Sequence, residues 1–592
     1  MIDQLPAEII EQILGHLPTV SSILNVSSTN KKLHQIVTQG SSSIFHDFVN
    51  RAFPTIPSQA PWQDAAFNLT SRSRAWDRRA FIARECAPPR EDPPPRNRND
   101  RRQHFAYATV IDSYETSTAG TKGGKEVLAW GAAGRLRLRT TQGKSVRWSS
   151  FRVRDDDRAW TDILDVRLLR LHQNRNVNGE SILIRRAAKE ISLLHSMPEQ
   201  DKFVTASTYL VDPETPVDCI DVSDGSDPKL AICDRTSLQL FSVHSPHSQV
   251  KADTVLRLPS TTGLNQRKRC ARFLTESKIA IGAQYLEGRI SAPIELFDTN
   301  ATEPALPLHA LRVLESNNKS IRNSANVLAK VSESTDAANI PEHLLLAGFT
   351  DGLVQLYDLR SGSIPVRKYW DPVDDGQIFS LVSVGQEKFF AGSHQNACLK
   401  MYDMRMDARA YSYTDTLRRG VPDFQPQDRK TLLTMPQPAR SQRDINIFLA
   451  LTVYYNQQPW QPLPKANIDN SRHPRYRGSI YSLSSPSPSS RTIYAGIENH
   501  VIQLDFVNTD DCIANRGGIV DTLDDRPILN LSCYERPRKG FESTDTVLLR
   551  KQWDWSRALL KHEETEPDWD ERWQVNSMRE NRGVCGRPRW HR

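Results

Sequence analysis

The sequence lacks the features of a membrane or secreted protein. No apolar run approaches the roughly 20 residues that a membrane-spanning helix needs, and the first ten residues, MIDQLPAEII, contain an acid at Asp3 and no basic residue. A secretory signal begins with positive charge followed by an apolar run, so none is expected here. We therefore predict no membrane partner and a cytoplasmic location, a nuclear location or both.

Cysteine is scarce and catalytic motifs are missing. The eight cysteines include no C-x-x-C pair, and several lie inside apolar runs, so we predict reduced thiols. The sequence contains no H-E-x-x-H and no G-x-S-x-G, and the segment Lys122 to Lys125 lacks the spacing of a phosphate-binding loop. These absences predict a protein without catalytic residues, cofactor or metal, and hence a non-enzyme.

Three groups of residues are candidates for a chemical site. His244 and His247 are near each other, but no cysteine or carboxylate cluster accompanies them, and we interpret them as loop residues. The acidic run at 155–157 lies between arginines, which is typical of a solvated turn. Cys585 lacks the histidine-rich setting of a reactive thiol, so we assign it no thioester role.

The length and composition indicate several domains with long loops. A chain of 592 residues exceeds one hydrophobic core, because compact domains usually contain roughly 100–200 residues. Only 38% of the residues are hydrophobic and 36 are proline, which favours exposed loops. The net charge of +7 is a small difference between 77 basic and 70 acidic residues, so a nucleic-acid partner is not favoured.

Apolar residues recur at helical spacing in the first fifty residues. The segment from Pro6 to His16 predicts a helix whose apolar stripe is wider than a single packing face requires. Ser22 is a candidate N-cap for a second helix, and the spacing of Leu33, Ile36 and Val37 predicts a third. A bundle this small is seldom stable alone, so its apolar face indicates either a permanent partner or a helical cap on the neighbouring domain.

These helices resemble the F-box family. The resemblance is carried by Leu5-Pro6, Glu8, Ile9, Ile13, Leu17, Ser22-Ile23-Leu24 and Leu33. It implies a helix-in-groove contact with the Skp adaptor of a Skp-cullin-F-box ligase, and through it with a cullin-RING ligase. The adaptor-binding residues that it implies are Leu5, Pro6, Ile9, Ile13, Leu17, Pro18, Ile23, Leu24 and Leu33.

Residues 51–103 are predicted to connect this domain to the rest of the chain. Trp62, Phe67, Leu69, Trp76, Phe81 and Ile82 have the spacing of short bracing helices. Residues 87–102, APPREDPPPRNRNDRR, are too rich in proline and charge to form a core, which predicts a semi-stiff spacer. The alternative is that Arg90 to Arg102 bind nucleic acid or act as a nuclear import signal.

Strand-like hairpins recur from residue 104 onward. In HLLLAGFTDGLVQLYDLRSG (343–362), two apolar strands flank Asp351-Gly352, a pair that tolerates positive φ. The pattern returns at 126–141, 229–243, 278–299, 388–406 and 491–507. Small pairs such as Ala347-Gly348 occupy one site in most copies, where neighbouring sheets are expected to crowd.

These hairpins resemble WD repeats, with Phe297-Asp298, Tyr357-Asp358 and Tyr402-Asp403 where that family has Trp-Asp. The resemblance implies an all-β propeller over 104–535. Outer strands near 138, 194, 241, 297, 357, 402 and 505 predict seven blades, and 445–455 is a candidate for an eighth. The segment 105–114 is predicted to close the ring, with 244–266, 300–340 and 408–443 as insertions.

The predicted fold is therefore multidomain, with a small all-α F-box at 1–50, a helical brace and linker at 51–103 and an all-β propeller at 104–535. Residues 536–592 are a Trp-rich extension that either anchors on the propeller or docks to a partner.

This organisation predicts a non-catalytic substrate receptor of a ubiquitin ligase, acting on an unknown protein. The predicted substrate-binding residues are Arg267, Lys268 and Arg269. The alternative is a WD-repeat scaffold in an assembly unrelated to degradation.

Overall fold

The structure is a computed structural model. It describes residues 4–56, 61–78, 81–88, 107–116, 124–143, 145–152, 161–176, 179–212, 215–258, 266–285, 292–301, 307–313, 324–331, 343–369, 376–394, 397–405, 446–449, 479–507 and 532–533. The predicted spacer beyond residue 88, the acidic run at 155–157, the Trp-rich extension and Cys585 lie outside these residues.

The described N-terminal part is helical. Its helices are α1 (Ala7–Gly15), α2 (Val20–Thr29), α3 (Lys31–Gln39), α4 (Ser41–Ala52) and α5 (Trp62–Arg78). The first helix agrees with the prediction, with Pro6 at its N-cap position. The predicted cap of α2 was wrong, because the Ser22 amide donates to the Thr19 hydroxyl at 3.1 Å and Thr19 is the cap. The residues predicted as short bracing helices also differ: α5 is one helix of 17 residues, and Ile82 lies in a strand.

The helices share one core, to which each of the first four contributes buried residues. Ile10 and Leu14 of α1 pack with Ile23 of α2, Leu33 of α3 and Phe45 of α4. Ala66 and Leu69 of α5 join the same cluster. The fourth and fifth helices therefore complete a core that three short helices would leave open.

The described strands form seven sheets, antiparallel except for one added strand, which we call blades 1 to 7; the first strand named for each blade is its inner strand. Blade 1 contains β2 (Val110–Thr116), β3 (Lys125–Ala132), β4 (Arg135–Gln142) and β5 (Ser145–Arg152). Blade 2 contains β6 (Ile163–Leu168), β7 (Ser181–Arg186), β8 (Ile191–Met197) and β9 (Lys202–Tyr209), with β13 (Gln249–Val250) added in parallel. Blade 3 contains β10 (Cys219–Val222), β11 (Lys229–Cys233), β12 (Ser237–Ser242) and β14 (Thr254–Arg257).

The other four blades repeat this order. Blade 4 contains β15 (Gln266–Phe273), β16 (Lys278–Tyr285), β17 (Ile294–Asp298) and β18 (His309–Leu311). Blade 5 contains β19 (Ala325–Lys330), β20 (Leu344–Phe349), β21 (Val354–Asp358) and β22 (Arg367–Tyr369). Blade 6 contains β23 (Ile378–Val384), β24 (Lys388–Ser393), β25 (Cys398–Asp403), β26 (Asn446–Phe448) and β30 (Ser532–Cys533). Blade 7 contains β27 (Ser482–Ser484), β28 (Thr492–Ile497), β29 (His500–Asp505) and β1 (Ile82–Glu85).

The predicted hairpins are confirmed as the second and third strands of the blades. In blade 5, β20 and β21 pair from Leu344–Asp358 to Gly348–Val354, and Gly352 has a φ of 82° in the turn between them. The strands predicted as outermost are the third strand of each blade, because a further strand pairs outside each of them. Seven blades are confirmed, and the eighth-blade candidate supplies β26, which pairs with β25 in blade 6.

The ring closes through a different segment from the one predicted. Residues 105–114 were expected to complete the last blade, but Val110 begins β2, the inner strand of blade 1. The closing strand is β1, which pairs antiparallel with β29 from Ile82–Asp505 to Glu85–Ile502. Because β1 directly follows α5, the chain passes from the helical part into the last blade before it builds the first.

Small residues on the second strands let the blades approach each other. A Cβ on Gly348 would lie 2.6 Å from Cγ2 of Ile378, which belongs to the inner strand of blade 6. Gly392 is in the same position against Ile480, at the start of blade 7. The crowding expected at these pairs is confirmed, since a larger residue would push neighbouring blades apart.

Candidate functional site

The helical part exposes apolar side chains that its own core does not use. Ile9 is 42% exposed, Ile13 39% and Leu24 40%. Their chain neighbours Ile10 and Ile23 are 1% and 0% exposed, so one side of each helix completes the core while the other faces outward. We call Ile9, Ile13 and Leu24 the adaptor face. Large exposed apolar side chains of this kind are typical of a protein interaction site.

The other predicted adaptor-binding residues fall into two groups. Pro6 and Pro18 are exposed and Leu5 and Leu17 are half-buried, so all four are at least partly accessible. Ile23 and Leu33 are buried in the helical core, and the expectation that they contact an adaptor needs correction. They belong to the core that α4 and α5 complete, and the sequence pattern of three helices did not include those two helices.

Helix α5 joins the helical part to the propeller. Trp76 packs with its ring centroid 5.9 Å from Phe506 and 6.2 Å from Phe390, in blades 7 and 6. Arg72 is buried, and its Nη1 donates to the carbonyl oxygens of Pro488 at 2.7 Å and Ser490 at 2.6 Å. Burial lowers the pKa of the Arg72 guanidinium to about 9. Arg72 was not predicted to have a role, because nothing local in the sequence distinguishes it from a solvated arginine.

A second contact fixes on which side of the ring the helices lie. The Gln386 amide, in the turn between β23 and β24, donates to the Thr55 carbonyl oxygen at 3.1 Å. Both this turn and the 485–491 turn lie where inner strands end. We call this side of the propeller the F-box face, and the side where inner strands begin the far face.

The inner strands of all seven blades line a central channel of about 750 Å³. Its lining includes eight Lys or Arg side chains and five Asp side chains, so positive charge is in excess. Many of these charges are paired across blades: Arg167 and Arg272 both contact Asp221 at 3.4 Å, and Arg170 contacts Asp112 at 3.1 Å. The channel is therefore polar and basic, unlike the apolar interfaces between blades.

The predicted substrate residues lie at the start of β15, at the far face. Arg267 lines the channel, with its Nε 3.2 Å from Oδ1 of Asp218. Arg269 is exposed, and its Nε donates to Oε1 of Gln284 at 2.5 Å. Lys268 is only 1% exposed, with its Nζ 3.8 Å from Oε2 of Glu295, and burial lowers the pKa of its amine. The structure thus brings Arg267 and Arg269 to the surface and places Lys268 inside.

Aromatic side chains that the sequence did not single out lie across the channel. Phe379 and His394 of blade 6 have ring centroids 4.5 Å apart, and Tyr481 of blade 7 lies 6.4 Å from Phe379. All three are half-buried and line the channel. The far mouth of the channel therefore has a basic side and an aromatic side.

The described residues hold neither a metal cluster nor a membrane-spanning helix. Among the described residues no group of three or more His, Cys, Asp or Glu side chains is arranged to hold a metal ion. No helix within the described part of the chain is long and apolar enough to cross a membrane. The cysteines at 86, 219, 233, 270 and 398 are free thiols.

Comparison with known proteins identifies the helical part. Residues 2–42 match the family described as F-box domain. No curated protein matches the chain. The chain is similar to the crystal structure of Chaetomium thermophilum Raptor, with a TM-score of 0.40 and 10% identity, over 86% of this chain and 40% of that chain. A likeness at that level supports no inference, so the propeller is assigned from its own strand pairing.

The seven closed blades define the class of fold, a β-propeller. The chain is an F-box protein in which the F-box domain is followed by a seven-bladed β-propeller. F-box domains generally bind the Skp adaptor of cullin-RING ligases, and the accessible residues of the matched segment include the adaptor face.

Proposed function

We propose that this chain is a non-catalytic substrate receptor of a Skp-cullin-F-box ubiquitin ligase. The observation that carries the proposal is the adaptor face: Ile9, Ile13 and Leu24 are exposed on helices whose core is complete without them. An adaptor that covers these side chains gains apolar burial at little cost to the F-box fold.

The arrangement of the two parts supports the receptor role. Helix α5 packs on blades 6 and 7 through Trp76 and Arg72, which holds the adaptor face in a set relation to the propeller. A target held at the far face is then on the opposite side of the ring from these contacts. A receptor of this kind acts by proximity, since it raises the local concentration of target lysines near a ubiquitin-charged enzyme.

The far mouth of the channel is the proposed substrate site. Arg267 and Arg269 present guanidinium groups on one side, and Phe379 and Tyr481 present rings on the other. Planar guanidinium groups match carboxylate and phosphate oxygens, so an acidic or phosphorylated segment of the target fits this mouth. Apolar residues beside the acidic groups would contact the rings.

Adaptor binding tests the first part of the proposal. Changing Ile9 and Ile13 together to Asp places charge in the adaptor contact, and we expect the affinity for purified Skp adaptor to fall about 100-fold or more. The matched control is Ile364→Asp, since Ile364 is 56% exposed on blade 5. Titration calorimetry gives both affinities, and circular dichroism checks that the helices are retained. Undiminished adaptor binding by the double variant would overturn the receptor assignment.

Target turnover tests the second part. We expect a bound target to have a longer half-life in cells that carry the Ile9 and Ile13 double variant. Changing Arg267 and Arg269 together to Ala should release the same target, whereas Arg257→Ala, on the exposed outer strand of blade 3, should not. If targets bound at the far face keep unchanged half-lives when the adaptor face is altered, the scaffold alternative is supported.

A further inference from the structure

The turn between β27 and β28 contains two consecutive Ser-Pro pairs, Ser485-Pro486 and Ser487-Pro488. Helix α5 contacts this turn through Arg72. The carbonyl oxygens of Pro488 and Ser490 accept the two Arg72 hydrogen bonds described above, at 2.7 Å and 2.6 Å. The turn is therefore the surface of the propeller on which α5 is held.

The other side of the same turn is attached to blade 1. The Glu115 amide, near the end of β2, donates to the Pro486 carbonyl oxygen at 3.1 Å. The Ser487 hydroxyl donates to the Glu115 carboxylate, and its oxygen also lies 3.1 Å from the Ser489 hydroxyl. Ser487 thus has a position between a carboxylate of the propeller and the carbonyl groups that hold Arg72.

We propose that Ser487 is a phosphorylation site for a proline-directed kinase, and that its phosphorylation releases α5 from the propeller. Ser487 is half-buried in a seven-residue turn between strands, at 485–491, so a small opening of the turn exposes it. The kinase would transfer the γ-phosphoryl group of ATP: a bond forms between Oγ of Ser487 and phosphorus, and the bond to the leaving ADP breaks. The hydroxyl proton passes to the catalytic base of the kinase.

The release follows from charge. The phosphoester has no hydroxyl proton to donate to Glu115 and carries a charge of about −1.5 to −2 at neutral pH. The contact between Ser487 and Glu115, which are both half-buried, therefore changes from attraction to repulsion. Movement of the turn away from β2 relieves this repulsion, and the Pro488 and Ser490 carbonyl groups move with the turn.

Loss of these carbonyl groups leaves the buried Arg72 guanidinium without those two hydrogen-bond acceptors, which favours separation of α5 from blades 6 and 7. The F-box would then no longer be held in one orientation relative to the propeller. Phosphorylation of Ser487 would act as a switch on the geometry of the whole chain. The inference does not depend on what the propeller binds.

The test uses the purified full-length chain, a proline-directed kinase and ATP. Mass spectrometry should find phosphate on Ser487, and amide hydrogen exchange in α5 should become about ten-fold faster or more. Pro488→Ala keeps the hydroxyl but removes the kinase signal, so it should show neither effect. Ser245-Pro246, after β12, is an internal control whose phosphorylation should leave α5 exchange unchanged.

Two variants separate charge from loss of the hydrogen bond. Ser487→Asp adds one negative charge beside Glu115 and should speed α5 exchange, by less than the phosphate does. Ser487→Ala removes the donor without adding charge and should leave α5 exchange within about two-fold of the wild type. The proposal is overturned if Ser487 takes up no phosphate, or if phosphorylated Ser487 leaves α5 exchange unchanged or slower.

Discussion

Three buried aspartates, Asp112, Asp218 and Asp221, each accept a backbone hydrogen bond from the inner strand of the next blade. Their partners are the amides of Leu168 at 2.8 Å, Lys268 at 3.0 Å and Phe273 at 2.8 Å. A carboxylate that accepts such a bond fixes the relative height of two inner strands, in addition to the apolar packing between the blades.

Asp351 is also buried, but its carboxylate has fewer hydrogen bonds to offset the loss of hydration. Oδ1 of Asp351, in the turn between β20 and β21, accepts from the Leu353 amide at 3.1 Å, and Oδ2 has no hydrogen-bond partner. Burial raises the pKa of Asp351 from 3.8 to about 6. The native state therefore holds this proton at a pH where the unfolded chain has released it.

This raised pKa predicts that ionisation of Asp351 lowers the free energy of unfolding in a pH-dependent way, and that an asparagine at this position removes the effect. Because the native state binds more protons here, its stability falls as pH rises from about 4 to about 6, and the loss remains above that range. Asp351→Asn keeps the Oδ1 acceptor and should gain roughly 1–3 kcal/mol over the wild type between pH 4 and pH 7. Chemical denaturation at both pH values measures the difference.

The control for Asp351 is Asp201→Asn, an exposed aspartate in the turn after β8. It should show no comparable change between the two pH values. A constant difference between Asp351→Asn and the wild type across this range would show that the Asp351 carboxyl titrates normally.

At the scale of the element, α5 shows how one helix serves two domains. Ala66 and Leu69 pack in the helical core, while Ala75 and Trp76, two turns later, pack in the core of blades 5 to 7. Arg72 lies between these two sets and bonds to the 485–491 turn. The buried face of α5 therefore changes along the helix, because its first part packs in the helical core and its last part packs on the propeller. This change weakens the apolar periodicity from which a helix and its buried face are predicted.

This position predicts a large effect at Arg72. Arg72→Met keeps most of the aliphatic volume but leaves the Pro488 and Ser490 carbonyl groups without their donor, so we expect a loss of roughly 2–4 kcal/mol in the free energy of unfolding. Arg51→Met, an exposed arginine in the last turn of α4, should change stability by less than about 0.5 kcal/mol. Denaturant unfolding compares the two, and an equal effect would show that the Arg72 bonds contribute little.

The strand pairs were more predictable than α5. Each predicted hairpin contains both of its strands and its turn within about 20 residues, as in β20 and β21 around Asp351-Gly352. Pairing, turn chemistry and apolar alternation all agree within that window, so the sequence is sufficient. The adaptor face was predictable in part, since helical spacing identifies apolar residues but does not say which of them face outward.

At the scale of the whole molecule, ring closure couples the two domains. The pairing of β1 with β29 joins residues about 420 positions apart. Cys86, the residue after β1, continues the pairing, because its backbone amide donates to the Val501 carbonyl oxygen at 2.8 Å. Because Cys86 and Val501 are a hydrogen-bonded pair, the alternation of an antiparallel ladder makes Ala83 and Leu504 a non-hydrogen-bonded pair with closer side chains.

That geometry suits an engineered disulfide. With Ala83 and Leu504 both changed to Cys, we expect the oxidised double variant to be roughly 2–5 kcal/mol more stable than its reduced form, because the bond closes a very long loop. Both redox states carry the same substitutions, so the loss of stability caused by replacing Leu504 with the smaller Cys is the same in each and does not affect the difference. The readouts are thermal unfolding with and without a reductant and peptide mapping of the bond. Equal stability in the two states would count against closure by β1.

The sequence by itself determined the first three helices, the hairpins and the number of blades, because periodicity and turn residues act over a few neighbouring positions. Tertiary structure alone decided that Ile82–Glu85 closes the ring, that Ile23, Leu33 and Lys268 are buried, and that Arg72 joins α5 to the propeller. Each of these outcomes depends on a contact that forms only when the chain folds. For β1 and Arg72 the contacting residues are hundreds of positions away in the sequence. No local sequence pattern specifies such a contact.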